Sequence, residues 1–179
     1  MADWERTLET LVRDRGPALV RYAYLLTGDV AAAEDLVQDA VVATFVRRGQ
    51  LRETQAAESY VRRTILTTFV DGTRRVRRFR DVRHLLVRSD AHEGPERGVQ
   101  ERADVVAALA DLPPRVRACV VLRFYEDLTI NEIARELDLS DGAVKRYLSD
   151  GTRTLERRLG PVQDDVETHV VGGRPGRAR

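Results

Sequence analysis

An all-α protein of two small helical domains, joined by an irregular linker, is the fold this sequence predicts, and three observations predict it. Apolar residues recur at spacings of three and four through most of the chain. No stretch alternates polar and apolar residues for long enough to propose a sheet. The helical period lapses at RSDAHEGPERG, a run of charges with Gly and Pro, and again in the tail.

The elements follow in order. Trp4, Leu8, Leu11 and Val12 fall on one helical face, with Trp4 read as a core anchor. Leu19, Tyr22, Ala23 and Leu26 fall on another. Gly28 is placed to end that helix and Asp29 to cap the next. Residues 31–48 stack Ala33, Leu36, Val37, Ala40, Val41 and Thr44 inward, while Glu34, Asp35 and Asp39 point elsewhere. A polar turn over 49–57 precedes a helix from Glu58, with Val61, Ile65, Leu66 and Phe69 inward. Four helices can bury a common core, so residues 1–80 are expected to form one domain.

Residues 81–100 are expected to be a linker. Periodicity resumes at Glu101, and Pro113-Pro114 stops one helix and starts the next, giving a second domain over 101–160. The tail, residues 161–179, ends in VVGGRPGRAR and has too little apolar content to pack, so disorder is expected.

Composition narrows the function. With 42% hydrophobic and 33% charged residues the chain reads as soluble. No apolar run approaches the roughly 18 residues a membrane span needs. The N-terminus is charged from its third residue and lacks a signal core, so cytoplasmic residence without membrane insertion is expected. Cys119 is the single cysteine, unable to close a disulfide or build a zinc site alone, and it reads as a small buried hydrophobe. His84, His92 and His169 fall in the linker or tail with no nucleophile or ligand set around them. No Gly-rich phosphate loop is present. No catalysis, metal or cofactor is expected.

The stretch LTINEIARELDLSDGAVKRYLSDGTRTLERRL, residues 128–159, predicts a helix-turn-helix. Thr129 and Glu132 make a capping box. Ile133, Ala134 and Leu137 form a buried edge, and Asp138-Leu139-Ser140 supplies a tight turn with Ser140 as the next cap. Val144, Leu148, Gly151, Leu155 and Leu159 then follow helical spacing toward the core. Ala134 and Gly142 are small enough to let the helices cross closely. In this unit the second helix enters the major groove. Its outward face carries Lys145, Arg146, Ser149, Arg153 and Arg157. Residues nearest the helix start reach the bases, so Lys145 and Arg146 are assigned to base edges, with Tyr147 or Ser149 beside them. Arg153 and Arg157 are assigned to phosphate.

The net charge of +1 conceals strong blocks. Residues 62–83 hold eight arginines against Asp71 and Asp81; residues 29–39 hold four acids and no base; residues 89–111 hold six acids and two arginines. Such blocks suit separate partners.

Taken together, the chain resembles an extracytoplasmic-function (ECF), or group IV, sigma factor of the sigma-70 family of bacterial RNA polymerase. LLTGDVAAAEDLVQDAVVATFVRR is similar to the family's acidic region 2 helix, and ESYVRRTILTTFVDGTRRVRR to the helix that melts and reads the minus-ten element. ALADLPPRVRACVVLRFYEDLTINEIARELDLSDGAVKRYL is similar to region 4, which reads the minus-thirty-five element. The resemblance implies that residues 1–80 are region 2 and residues 101–160 region 4. It implies that Glu34, Asp35, Gln38 and Asp39 dock on the clamp of the largest polymerase subunit, with the flap of the second-largest subunit a further contact. Arg62, Arg63, Arg74, Arg75, Arg77 and Arg78 would hold promoter DNA, with Thr67 and Thr68 at the base-reading position. An anti-sigma factor is an implied partner, and the acidic linker would thread the polymerase interior. The chain departs from the pattern at Tyr147 and Asp150, where relatives often carry arginine, and near Thr73, where many carry tryptophan. Two other readings fit the helix-turn-helix: a stand-alone transcriptional regulator, or a decoy that binds polymerase or an anti-sigma factor without initiating.

Overall fold

The computed structural model describes residues 3–47, 53–80 and 97–160, with the side chains of 3, 47, 73–80 and 97–101 excepted. Seven helices, and no strand, are found among the described residues: α1 (Asp3–Thr27), α2 (Val30–Arg47), α3 (Thr54–Arg80), α4 (Arg97–Ala110), α5 (Pro114–Phe124), α6 (Ile130–Leu137) and α7 (Asp141–Leu159). Residues 81–96 of the expected 81–100 linker, the tail and the three histidines lie outside the described residues.

Three helices, not four, build the N-terminal half. α1 runs unbroken through Pro17. A proline inside a helix removes one hydrogen bond and costs ~3 kcal/mol or more. Here Leu11 precedes it and Leu19, Tyr22 and Leu26 follow it, all buried in one core. Each such side chain contributes about 1.5–3 kcal/mol of burial, so anchoring on both sides keeps the helix continuous. Trp4 and Val12 do not join them: they are 38% and 51% exposed, so Trp4 is no core anchor. It sits instead at an apolar groove of about 340 Å³ with Leu8, Val41, Val42, Phe45 and Val46.

The α1–α2 corner forms as expected. Gly28, at φ +77°, donates its N–H to Tyr24 O at 2.8 Å, and the Asp29 carboxylate accepts from Ala32 N at 2.7 Å. α2 buries Ala33, Val37, Ala40, Thr44 and Phe45. α3 begins at Thr54 rather than Glu58, within the expected polar turn. The cause is tertiary: Ala57 is fully buried against the bundle, which extends the helix backwards through polar neighbours.

In the C-terminal half, α7 packs on α4, α5 and α6. α4 begins at Arg97, inside the stretch expected as linker. Pro113 and Pro114 separate α4 from α5 as the sequence requires. Leu159, expected inward, is 44% exposed, because it falls in the last turn of α7, at the edge of an open groove beside Asp104 and Ala107 of α4.

The close helix crossing also uses a different glycine. Gly142 faces open space, whereas a Cβ on Gly151 would lie 2.6 Å from Val120 Cγ2 and 3.1 Å from Val116 Cγ1. Gly151→Ala forces a stiff β-branched neighbour and the α5 backbone aside. It should destabilise by about 1–2 kcal/mol even after the helix-propensity gain. Gly142→Ala collects that gain alone, about 0.5–1 kcal/mol. Thermal unfolding of the two variants should therefore shift in opposite directions.

Candidate nucleic-acid and polymerase interfaces

The helix-turn-helix is built by local chemistry. The Thr129 hydroxyl accepts from Glu132 N at 3.3 Å, and the Glu132 carboxylate accepts from Thr129 N at 2.8 Å. These two bonds complete the capping box and start α6. The helix ends on Asp138, which adopts φ 51° where glycine is commoner. Leu139 N then donates back to Ala134 O at 2.9 Å, and the Ser140 hydroxyl accepts from Ala143 N at 3.2 Å to open α7. Ile133, Ala134 and Val144 are buried across the turn, fixing the direction of α7.

Lys145, Arg146, Ser149, Arg153 and Arg157 all emerge exposed from α7, a cationic face interrupted by the exposed acids Asp150 and Glu156. Tyr147 is different: it is half-buried and packed against the core. The Arg146 guanidinium lies 5.4 Å from the Tyr147 ring centroid, so the ring supports the arginine rather than standing beside it. Arg157 folds back along the helix, donating from Nε to Arg153 O at 3.3 Å and from Nη2 to Thr154 Oγ1 at 3.2 Å.

On α2, Glu34, Asp35, Gln38 and Asp39 are all exposed, facing away from buried Ala33, Val37 and Ala40. On α3, Arg63, Thr67 and Thr68 are exposed. The Thr67 hydroxyl donates to Arg63 O at 3.0 Å. Arg74, Arg75, Arg77 and Arg78 continue α3, but their side chains lie outside the described residues. Arg62 is not grouped with them. Its Nε donates to Glu58 Oε1 at 3.1 Å and its Nη1 bonds the Glu126 carboxylate from the C-terminal half.

Two buried polar side chains lie between the halves, and the sequence reading named only Tyr22. Arg117 lies within the apolar run of α5 and is buried. Burial lowers its pKa, opposed by the charge of Asp111. The signal was present, since Arg117 falls beside Val116, Ala118, Val120 and Val121, and an arginine buried at such a position needs internal partners. Tyr22, also buried, has its hydroxyl pKa pushed up by that burial and by Glu126, with Arg62 opposing.

A cationic α7 behind a capped α6, with a three-helix unit that shares its core and exposes an acidic face, is the arrangement of a helical DNA-binding protein of two parts. The comparisons with known proteins name the family. Residues 11–79 match the family described as Sigma-70 region 2, and residues 102–155 match Sigma-70, region 4. The RNA polymerase sigma-E factor of Streptomyces avermitilis is 30% identical over 166 residues, covering 93% of this chain and 88% of that one. The sigma-E factor of Streptomyces coelicolor is 31% identical over 167 residues, covering 93% and 89%. The ECF sigma factor SigL of Mycobacterium tuberculosis is 27% identical over 159 residues, covering 85% and 88%. The fold is similar to that of the sigma factor RpoE, solved with the anti-sigma factor NepR from Bartonella quintana. That match has TM-score 0.67 at 20% identity and covers 91% of this chain and all of that one. The chain belongs to the sigma-70 family, in its ECF group, and is an RNA polymerase sigma factor.

Cys119 takes no part in these faces. Burial pushes its thiol up to about 12, so the reactive thiolate is scarce at neutral pH. A thiol reagent at pH 8 should leave the native protein unmodified and label one thiol after denaturation; prompt native labelling would contradict this burial.

Proposed function

We propose that residues 1–80 serve as region 2 and residues 101–160 as region 4, with residues 81–100 connecting them and a tail after 160. The reading rests on one observation: a single chain of this family presents an acidic α2 face and a cationic α7 face, both exposed. Glu34, Asp35, Gln38 and Asp39 dock on the basic clamp of the largest polymerase subunit, where complementary charge speeds encounter and sets register. Region 4 meets the flap of the second-largest subunit and lays α7 in the major groove of the minus-thirty-five element. Lys145 and Arg146 reach base edges, Arg146 steadied by Tyr147, with Ser149 beside them. Arg153 and Arg157 neutralise phosphates. Asp150 accepts from a cytosine amino group.

In region 2, Arg63 and the arginines from Arg74 to Arg78 hold the opening duplex by phosphate neutralisation, joined by Arg62 once its carboxylate partners release it. Thr67 and Thr68 meet an extruded base. The chain acts in the cytoplasm as an initiation factor rather than an enzyme, and no helix among the described residues is long and apolar enough to cross a membrane. An anti-sigma factor is a further partner, as the NepR complex of the structural relative suggests.

Mixing the chain with core polymerase and promoter fragments from its own genome tests this directly: specific initiation is expected. No stable complex would favour a stand-alone regulator, and a complex without initiation would favour a decoy. Finer predictions separate the faces. Lys145→Ala or Arg146→Ala should reduce discrimination between cognate and altered minus-thirty-five duplexes by about 1–3 kcal/mol. Arg153→Ala should weaken all sequences alike and flatten the log–log salt slope by about 0.9. Asp35→Arg with Asp39→Arg should slow association with core polymerase, most visibly at low salt, while duplex binding by region 4 stays unchanged.

A further inference from the structure

Among the thirty lysines and arginines of this sequence there is one lysine, and it stands on the outward face of α7. Arginine would serve binding at Lys145 at least as well. Its planar fork meets guanine O6 and N7 in a bidentate pair, and the same fork grips phosphate. An ammonium differs in one respect. It can give up a proton and react as an amine, whereas a guanidinium stays protonated in proteins. The chain therefore places its one acylatable side chain among the residues assigned to base edges.

The surroundings leave that amine open. Lys145 is exposed, and among the described residues it makes no hydrogen bond, ion pair or ring contact. Asp141, one turn earlier and also exposed, does not pair with it. The neighbouring cations are engaged: Arg146 lies over the Tyr147 ring, and Arg157 donates to Arg153 O and Thr154 Oγ1. Val144, fully buried, anchors the backbone beside Lys145, so a reagent can reach the amine with α7 intact. Arg146 and Arg153 add a positive field that draws anionic reagents to this stretch of the helix.

We infer that Lys145 is an acylation site, through which the supply of activated acyl groups sets how well α7 reads the minus-thirty-five element. This rests on the DNA-binding reading of α7 above. The reagent is an activated acyl group on a phosphate-bearing carrier, either an acyl phosphate or an acyl thioester. The ammonium first yields a proton to water, and the Nζ lone pair then attacks the acyl carbonyl carbon. An N–C amide bond forms, the C–O or C–S bond breaks, and phosphate or thiolate leaves with the electron pair. The product is neutral and keeps one N–H donor where the ammonium had three. A charge-assisted bond to a base edge is lost, and the added bulk stands between α7 and the groove. Arginine cannot undergo this reaction, so Arg153 and Arg157 keep their charge. Acylation therefore removes discrimination more than general attraction to DNA.

Two measurements on the full chain decide the matter. In the first, the chain is treated with acetyl phosphate or with acetyl-coenzyme A, freed of reagent and mapped by mass spectrometry. Acetylation at Lys145 is expected with at least one of them, and the one that reacts tells phosphate from thioester as the source. An unmodified Lys145 with both would overturn the inference. In the second, the treated chain is added to untreated core polymerase on promoters from its own genome. It should still bind core polymerase but initiate about tenfold less or lower. Lys145→Arg, whatever its own level of initiation, should give the same level before and after treatment. Full initiation by acetylated wild type would refute the regulation, and so would equal inhibition of treated Lys145→Arg. A wild-type chain that never initiates, treated or not, would instead sink the sigma-factor reading. Binding of minus-thirty-five duplexes by treated and untreated chain would then decide the acylation alone: unchanged discrimination would overturn it.

Discussion

The Arg117 guanidinium joins the carbonyl ends of α1 and α4 and thereby sets how the two halves of the protein meet. A buried charge is tolerated only when its donors are satisfied, and three backbone carbonyls serve that purpose here. The carbonyls gain as well, since helix C-termini otherwise keep unpaired acceptors. Only Nε lacks a partner. Around this bond the Gly28 turn can approach Ala110 closely because it carries no side chain. The hydrophobic core therefore runs from Leu11 in α1 to Val144 in α7 without a break.

That continuity organises the surface. Apolar positions of α2 and α7 turn inward to one core, which leaves the acids of α2 and the cations of α7 outward on separate elements. Each face keeps one dominant sign, as two partners of opposite charge require. Arg62 shows what contact between the halves does to this partition. It belongs by sequence to the arginine block of α3, yet Glu58 and Glu126 take it out of the basic surface.

Much of this could be read from the sequence because its causes are local. The capping box at Thr129 and Glu132, the Ser140 cap, the Gly28 corner and the Pro113-Pro114 break each act within four residues. The outward placement of Lys145, Arg146 and Ser149, and of Glu34, Asp35 and Asp39, follows from the helical period once the inward face is known. The division of α1 into two helices, at Pro17, and the polar turn over 49–57, which contains Thr54, are overturned for the complementary reason. Local chemistry breaks a helix at the first and delays one at the second, but the buried neighbours Leu11, Leu19 and Ala57 override both. Periodicity likewise could not tell which glycine served the crossing, since that depends on Val116 and Val120 of another helix.

The sequence by itself therefore determined an all-helical chain, the helix-turn-helix, the charged faces and membership of the sigma-70 family. The tertiary structure alone decided that the halves share a core, that Arg117 bonds a carbonyl 91 residues away and that Arg62 is held by a carboxylate 64 residues away. Helical period and caps are written in neighbouring residues. A contact over such separations depends on how whole helices pack, and no local pattern encodes it.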